Sequence, residues 1–157
     1  MTRRVLTLAC AIAALTLAAA DRLGAQAALA NPKGPAVQPF KPSDLKWVRN
    51  AAGTQERAVL FGDPSKAEPY VARIKWLPGN MSRPHFHQND RHFVVISGTW
   101  WLGSGEKYDP DSTVPVGPGT YVYHAAKGIH YDGAKNEEVI IQVWGIGPDG
   151  NTPAEKK

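Results

Sequence analysis

Three histidines form the most chemically informative pattern in this 157-residue sequence. His85 and His87 are two residues apart in a segment, residues 79–98, that ends as a β-strand, and side chains two apart on a strand share a face. His130 lies in a second segment, residues 119–134, whose turn punctuation is similar. Imidazole nitrogens suit first-row divalent metals, and three histidines with open positions are typical of catalytic sites. The spacing therefore predicts a metal site at His85, His87 and His130, with Fe²⁺, Mn²⁺, Ni²⁺ and Zn²⁺ all left open.

The residues after the histidine pair depend on the register of the strand. Without a bulge Arg91 shares the histidine face and His92 points away, whereas a single β-bulge exchanges them. Guanidinium stays protonated and cannot be a ligand, so an inward Arg91 is a candidate anchor for a substrate anion. The alternative is a structural ion pair of Arg91 with Asp90, Asp132 or Glu138. In the bulged register His92 becomes a fourth metal ligand.

His124 is a second candidate catalytic residue. It ends a predicted strand, residues 121–124, and stands six residues before His130 across a turn. It is a candidate general base or fourth ligand near the metal. The alternative is a hydrogen-bonded histidine at the rim of the fold.

Many short β-rich runs separated by Gly, Pro and Asp turns predict an all-β sandwich or barrel. Residues 70–77 alternate most clearly, with Tyr70, Ala72, Ile74 and Trp76 on one face. No stretch shows sustained helical periodicity. Adjacent tryptophans on a strand point to opposite faces, so one of the pair at residues 100 and 101 should be core and the other exposed or in an interface.

The chain organisation follows from composition. Residues 1–27 have a positively charged start, an uncharged apolar run and an Ala-x-Ala site, which predicts a cleaved signal peptide and a periplasmic or secreted protein without a stable membrane anchor. Residues 28–44 form a Pro-rich arm, residues 45–147 a single β-domain, and residues 148–157 a loose tail.

Charge and motif content exclude several function classes. Removing Arg3, Arg4, Arg22 and Asp21 with the leader lowers the net charge from +4 to +2, and no Lys/Arg stripe remains for nucleic acid. The single cysteine, Cys10, also leaves, so a disulfide is excluded. There is no Gly-x-Ser-x-Gly, phosphate-binding loop or dinucleotide fingerprint.

The two histidine segments resemble the motifs of the cupins. Gly79, His85, His87 and Gly98 match the first motif, and Gly119 and His130 match the second. The resemblance covers residues 70–147 and is strongest to small, secreted, single-domain cupins of the cupin-2 type. It implies a double-stranded β-helix, or jelly-roll barrel, and often a homodimer. Arg91 stands where the first motif has its glutamate.

Three hypotheses follow. The first is a metal-dependent enzyme, an oxygenase or a lyase/isomerase, acting on a small anionic or enolisable substrate, as the resemblance to cupin oxygenases implies. The second is a non-catalytic periplasmic module that binds a metal or a small molecule. The third is a metal-free barrel with histidines at its mouth. The presence of Arg91 at the glutamate position of the motif favours this hypothesis.

Overall fold

The computed structural model describes residues 36–156. The predicted signal peptide and residues 28–35 of the predicted Pro-rich arm lie outside these residues. Residues 40–157 form one compact unit that contains every strand named below. No helix within residues 36–156 has the length and apolarity needed to cross a membrane.

Strands and turns make up the described chain. It contains eleven strands: β1 Val48–Arg49, β2 Gln55–Phe61, β3 Pro69–Trp76, β4 His85–His87, β5 Arg91–Ser97, β6 Trp100–Ser104, β7 Val114–Val116, β8 Tyr121–His124, β9 His130–Gly133, β10 Val139–Ile146 and β11 Asn151–Pro153. Two single 3₁₀ turns, Pro42–Asp44 and Pro110–Ser112, complete the secondary structure of residues 36–156. The predicted all-β class is confirmed.

The strands form two antiparallel sheets. The six-stranded sheet has the order β1-β2-β3-β10-β5-β8, and the five-stranded sheet has the order β11-β4-β9-β6-β7. Inward-facing side chains of both sheets make the core, which includes Trp100, Phe93, Tyr70 and Ile141. The long strands β3, β5 and β10 alternate between buried and less buried residues over most of their length, because one face of the sheet meets the opposite sheet.

The segment with the clearest alternation of side-chain faces in the sequence, residues 70–77, corresponds to β3, a central strand of the six-stranded sheet. Tyr70, Ala72, Ile74 and Trp76 are all buried on β3, and the residues between them are half-buried. β3 pairs with β10 over its whole length, from Pro69 opposite Ile146 to Trp76 opposite Val139. This confirms the sequence assignment of the inner face.

A β-bulge lies in β5, but at its far end. Val95 pairs with Ile141 and Ser97 with Ile140, so Ile96 is the extra residue. From Arg91 to Val95 the pairing with β10 is regular. Arg91, Phe93 and Val95 are buried, so Arg91 points inward, as expected without a bulge before it, although β4 and β5 are separate strands in different sheets.

The prediction of a loose tail at residues 148–157 is wrong for its central part. Asn151–Pro153 form β11, which pairs with β4 at the histidine pair, Asn151 opposite His87 and Pro153 opposite His85. The Ala154 N–H also donates to the Pro84 carbonyl. These backbone hydrogen bonds attach the chain end to the strand that carries two site residues.

Candidate metal centre

The three predicted histidines come together inside the barrel. His85 and His87 are both buried on β4, while Phe86 between them faces the other way. His130 is the first residue of β9 and pairs directly with His85. The ring centroids are 4.5 to 5.4 Å apart, and each of the three residues is 7% exposed. Strand pairing therefore supplies a compact cluster of three imidazoles.

A backbone carbonyl fixes the hydrogen position on each of these rings. Each Nδ1 lies 2.8 or 2.9 Å from a carbonyl oxygen, and the three carbonyls belong to Arg83, Gly150 and Gly128. A carbonyl only accepts hydrogen bonds, so each Nδ1 must donate its N–H. A neutral imidazole has one ring hydrogen, so each Nε2 then carries a lone pair.

The lone pairs face one another. His85 Nε2 and His87 Nε2 lie 3.1 Å apart, and neither has a hydrogen to donate in this arrangement. His130 Nε2 is buried without a hydrogen-bond partner among the described residues. The ligand atoms of all three lie within 4.8 Å of one another. A divalent cation would satisfy all three lone pairs, so these residues fit a metal and could hold one.

Burial favours the neutral form of His87 and His130. It lowers the pKa of His87 to about 3, and the nearby Arg91 charge lowers it further in the same direction. Burial also lowers the pKa of His130. Neutral imidazole is the form that binds metal, so the fold keeps these rings ready for a cation at neutral pH.

His92 lies on the outer face of the six-stranded sheet. Its Nδ1 shares a hydrogen bond of 2.7 Å with the Tyr121 hydroxyl, and its ring stacks on Trp144 with centroids 5.6 Å apart. The structure therefore places His92 away from the histidine cluster, because Arg91 and Phe93 are the residues on either side of it that face the core.

Arg91 is buried beside the cluster, and it has an ion-pair partner that the sequence analysis missed. Its guanidinium Nη1 lies 2.8 Å from Asp149 Oδ1, and the Asp149 side chain is only 1% exposed. Arg57 binds the other oxygen of the same carboxylate. The three predicted partners, Asp90, Asp132 and Glu138, are not the ones that the structure brings to Arg91.

The buried carboxylate of Asp149 is held in its charged form. Burial alone would raise its pKa, but the Arg91 and Arg57 charges outweigh burial and lower the pKa to about 2. Arg91 therefore enters the site as half of an ion pair. Its Nε–H is also buried without an acceptor among the described residues, which makes this N–H a candidate donor to a ligand.

His124 is brought next to the cluster by its pairing with β5, where it lies opposite Arg91. Its ring centroid is 4.0 Å from that of His130, and its Nδ1 is buried without a partner in the described chain. Burial, with a smaller contribution from the His130 charge, lowers the pKa of His124 to about 2. A group with so low a pKa accepts protons poorly at neutral pH, which argues against its role as general base.

Asp132 is a further site residue that sequence reasoning did not assign to the cavity. Its Oδ1 accepts a hydrogen bond of 3.1 Å from Trp100 Nε1, and its Oδ2 lies 3.9 Å from His130 Nε2. With His124 and His130 it makes a second group of possible ligands. The sequence feature that could have predicted this role is the position of Asp132 two residues after His130 on a strand, because side chains two apart on a strand share a face.

A cavity of about 760 Å³ opens over the cluster. Its walls combine apolar side chains with charged ones, and they include Ile74, Trp76, Phe93, Ile141, Lys46, Arg57 and Asp149. This volume falls in the range of sites for small organic ligands. The cluster therefore has room for a ligand beside a bound cation.

The double-sheet barrel with an inward-facing histidine cluster defines a cupin. More specifically, the chain belongs to the ChrR cupin-like domain family, whose model matches residues 37–147. No curated protein matches the sequence.

Solved structures with the same fold are distant in sequence. The polyketide cyclase RemF of Streptomyces resistomycificus is 18% identical, with a TM-score of 0.61 over 77% of this chain and 87% of that chain. A cupin-2 domain of Rhodospirillum rubrum is 17% identical, with a TM-score of 0.55 over 77% and 80%. The DMSP lyase DddQ of Ruegeria pomeroyi is 13% identical, with a TM-score of 0.54 over 73% and 64%. At these identities the similarity shows the shared fold alone.

Proposed function

We propose that this protein is an exported, metal-dependent enzyme that acts on a small anionic or enolisable substrate. The observation that carries the proposal is the set of three buried Nε2 lone pairs, each directed by a carbonyl that binds the opposite ring nitrogen. Three buried lone pairs without donors are costly, because each buried polar group needs a partner. A divalent cation supplies that partner.

The chain's own residues would divide the work at such a site. A cation bound by the three histidines would polarise a ligand oxygen as a Lewis acid. Phe93, Ile74 and Ile141 line the cavity and would contact the apolar part of a ligand. Arg91 offers its remaining Nε–H to an oxygen of the ligand. Lys46 and Arg57 make the cavity wall attractive to an anion.

The reaction class is either oxygenase or lyase/isomerase. Proteins with this fold include a polyketide cyclase and a DMSP lyase, so the fold is compatible with the lyase/isomerase form. Oxygen uptake by the metal-loaded protein with enolisable carboxylates would support the oxygenase form. Turnover without oxygen uptake would support the lyase/isomerase form, and binding without turnover would leave the non-catalytic module.

Metal content is the first test. The untagged protein, expressed with its own leader, would be purified and its metals measured by elemental mass spectrometry. We expect close to one equivalent of a divalent first-row metal and a large loss in His87→Ala. His92→Ala is the matched control, because it removes a histidine from the outer face of the neighbouring strand. A wild-type protein that stays empty after reconstitution with Fe²⁺, Mn²⁺, Ni²⁺ and Zn²⁺ would refute the proposal.

Export can be tested on the same preparation. Cleavage after Ala27 would give an intact mass that begins at Ala28, and the protein would be recovered from the periplasm or the medium. A mass that retains Met1 and a cytosolic location would contradict this part of the proposal.

A further inference from the structure

Residues 149–153 contribute to the candidate metal centre from outside the matched family region, which ends at residue 147. The Gly150 carbonyl accepts the N–H of His87 at 2.9 Å. The preceding residue, Asp149, pairs with Arg91, and the following ones form β11 alongside β4. One short segment therefore touches a predicted ligand through its backbone and the adjacent cation through its side chain.

Arg91 is an electrostatic problem for a metal in this position. Its Nη1 lies 3.4 Å from His87 Nδ1, and both side chains are buried. Charges in a buried site are poorly screened by water or salt. Without a counter-ion, the guanidinium would repel a divalent cation bound through the other nitrogen of the same imidazole.

Asp149 is placed to remove that repulsion. Its Oδ1 is 2.8 Å from Arg91 Nη1 and 3.6 Å from His87 Nδ1. The carboxylate is thus as close to the ligand ring as the guanidinium is, within a few tenths of an ångström. At the distance of the metal the Asp149 charge therefore offsets that of Arg91, while Arg57 binds the other carboxylate oxygen, Oδ2.

We propose that Asp149 is a positioning residue that sets the affinity of the histidine cluster for its divalent cation, by cancelling the charge of Arg91 beside His87. The inference rests on the proposed metal binding. The inference adds to that proposal a residue near the end of the chain, Asp149, which is not itself a ligand but affects how tightly the ligands bind the cation.

A purely structural role for Asp149 makes different predictions. If the ion pair only attached the chain end to the barrel, breaking it from either side would weaken metal binding in the same direction. If charge cancellation is the role, the two sides have opposite signs. Loss of the carboxylate weakens metal binding, whereas loss of the guanidinium leaves it unchanged or strengthens it.

The test is a double-mutant cycle with Asp149→Asn and Arg91→Met, two substitutions that keep side-chain size. Full-length protein would be stripped with EDTA, and its Zn²⁺ affinity would be measured by competition with a chromophoric chelator. We expect Asp149→Asn to weaken Zn²⁺ binding by about 10- to 100-fold, the range for outer-layer partners of metal ligands. Arg91→Met should bind as tightly as wild type or more tightly, and the double variant should recover most of the lost affinity.

Glu155→Gln is the matched control. Glu155 also attaches the chain end to the barrel, through an ion pair with Arg83, but that pair is on the surface. Zn²⁺ affinity should be unchanged in this variant. Equal losses in Glu155→Gln and Asp149→Asn would overturn the inference, because attachment of the segment would then explain both.

The outcomes separate the two proposals. Wild-type protein that binds no Zn²⁺ overturns the proposed function and this inference together. Wild-type protein that binds Zn²⁺, with Asp149→Asn equally tight, overturns the inference alone. If Asp149→Asn does not fold, the double variant and Arg91→Met decide, and weaker binding in both would overturn charge cancellation.

Discussion

The buried histidines make a strong prediction about acid stability. Burial lowers the pKa of His87 to about 3 and that of His124 to about 2, while an unfolded chain has histidine pKa values near 6.5. Between these values the unfolded protein binds protons that the folded protein does not. Stability must therefore fall as the pH decreases through 6.5.

The magnitude can be worked out for a shift from pH 7.5 to 5.5. Each of these two histidines becomes almost fully protonated in the unfolded chain and stays neutral in the fold. The cost is about 1.4 kcal/mol for each, or about 3 kcal/mol for both. At roughly 4 °C per kcal/mol for a domain of this size, Tm falls by about 10 °C. His130 adds to the loss, because burial lowers its pKa too.

The measurement is thermal unfolding of the EDTA-treated protein followed by circular dichroism at both pH values. His124→Gln removes one of these groups and keeps a polar side chain, so its share of the pH dependence, about 1.4 kcal/mol, should disappear. Asp149 does not contribute in this window, since its pKa is lowered from the usual value near 3.8 to about 2 and its contribution is lost only in strong acid. A Tm that is the same at pH 7.5 and 5.5 would show that the buried imidazoles are not held neutral.

Three other predictions concern metal and packing. Zn²⁺ at about 100 times its Kd should stabilise the protein by about 2.7 kcal/mol, and an unchanged Tm would contradict metal binding to the folded state. Trp100→Phe should cost about 1–3 kcal/mol in urea unfolding, because Asp132 Oδ1 loses its buried donor. Gly103→Ala should cost about 1–3 kcal/mol, because a Cβ there would overlap the Tyr131 ring. Gly117→Ala, whose Cβ would meet nothing within 4 Å, should be close to neutral, and equal losses in the two variants would refute the packing argument.

Local patterns predicted the strands and the face of the histidine pair. The alternation on β3 was readable because one side of the strand is buried along its whole length. The tryptophan pair behaved as a strand requires, with Trp100 fully buried and Trp101 half-buried, where it packs under Lys135. In both cases the information lies within a few residues of sequence.

The register at Arg91 was open because a bulge leaves no local signature in this sequence. The structure does contain the bulge, but at Ile96, next to the Gly98 turn. The histidine pair lies on β4 of the five-stranded sheet, and Arg91 begins β5 of the six-stranded sheet. The face of Arg91 therefore depends on how residues 88–90 connect the two sheets, a long-range property that the sequence of β5 does not carry.

Asp149 was missed for a related reason. The Gly-Pro-Asp-Gly sequence around Asp149 is typical of a turn. The residues that pair with its carboxylate, Arg91 and Arg57, are 58 and 92 positions away in the sequence. Its charge is also typical of solvated turns. Only the pairing of β11 with β4 brings this carboxylate inside.

The ion pair of Arg91 with Asp149 changes how we expect an anionic substrate to bind. The sequence suggested Arg91 as the anchor for the anion, but its charge is already matched by Asp149, and Arg57 shares the same carboxylate. A bound divalent cation would then be the largest unmatched positive charge in the cavity. A substrate carboxylate or enolate should bind to that cation directly, with Arg91 contributing one hydrogen bond from Nε. Arg91→Met should therefore raise KM only modestly in metal-loaded protein. An increase in KM of several hundred-fold would show that the guanidinium is the anchor for the anion, despite its ion pair with Asp149.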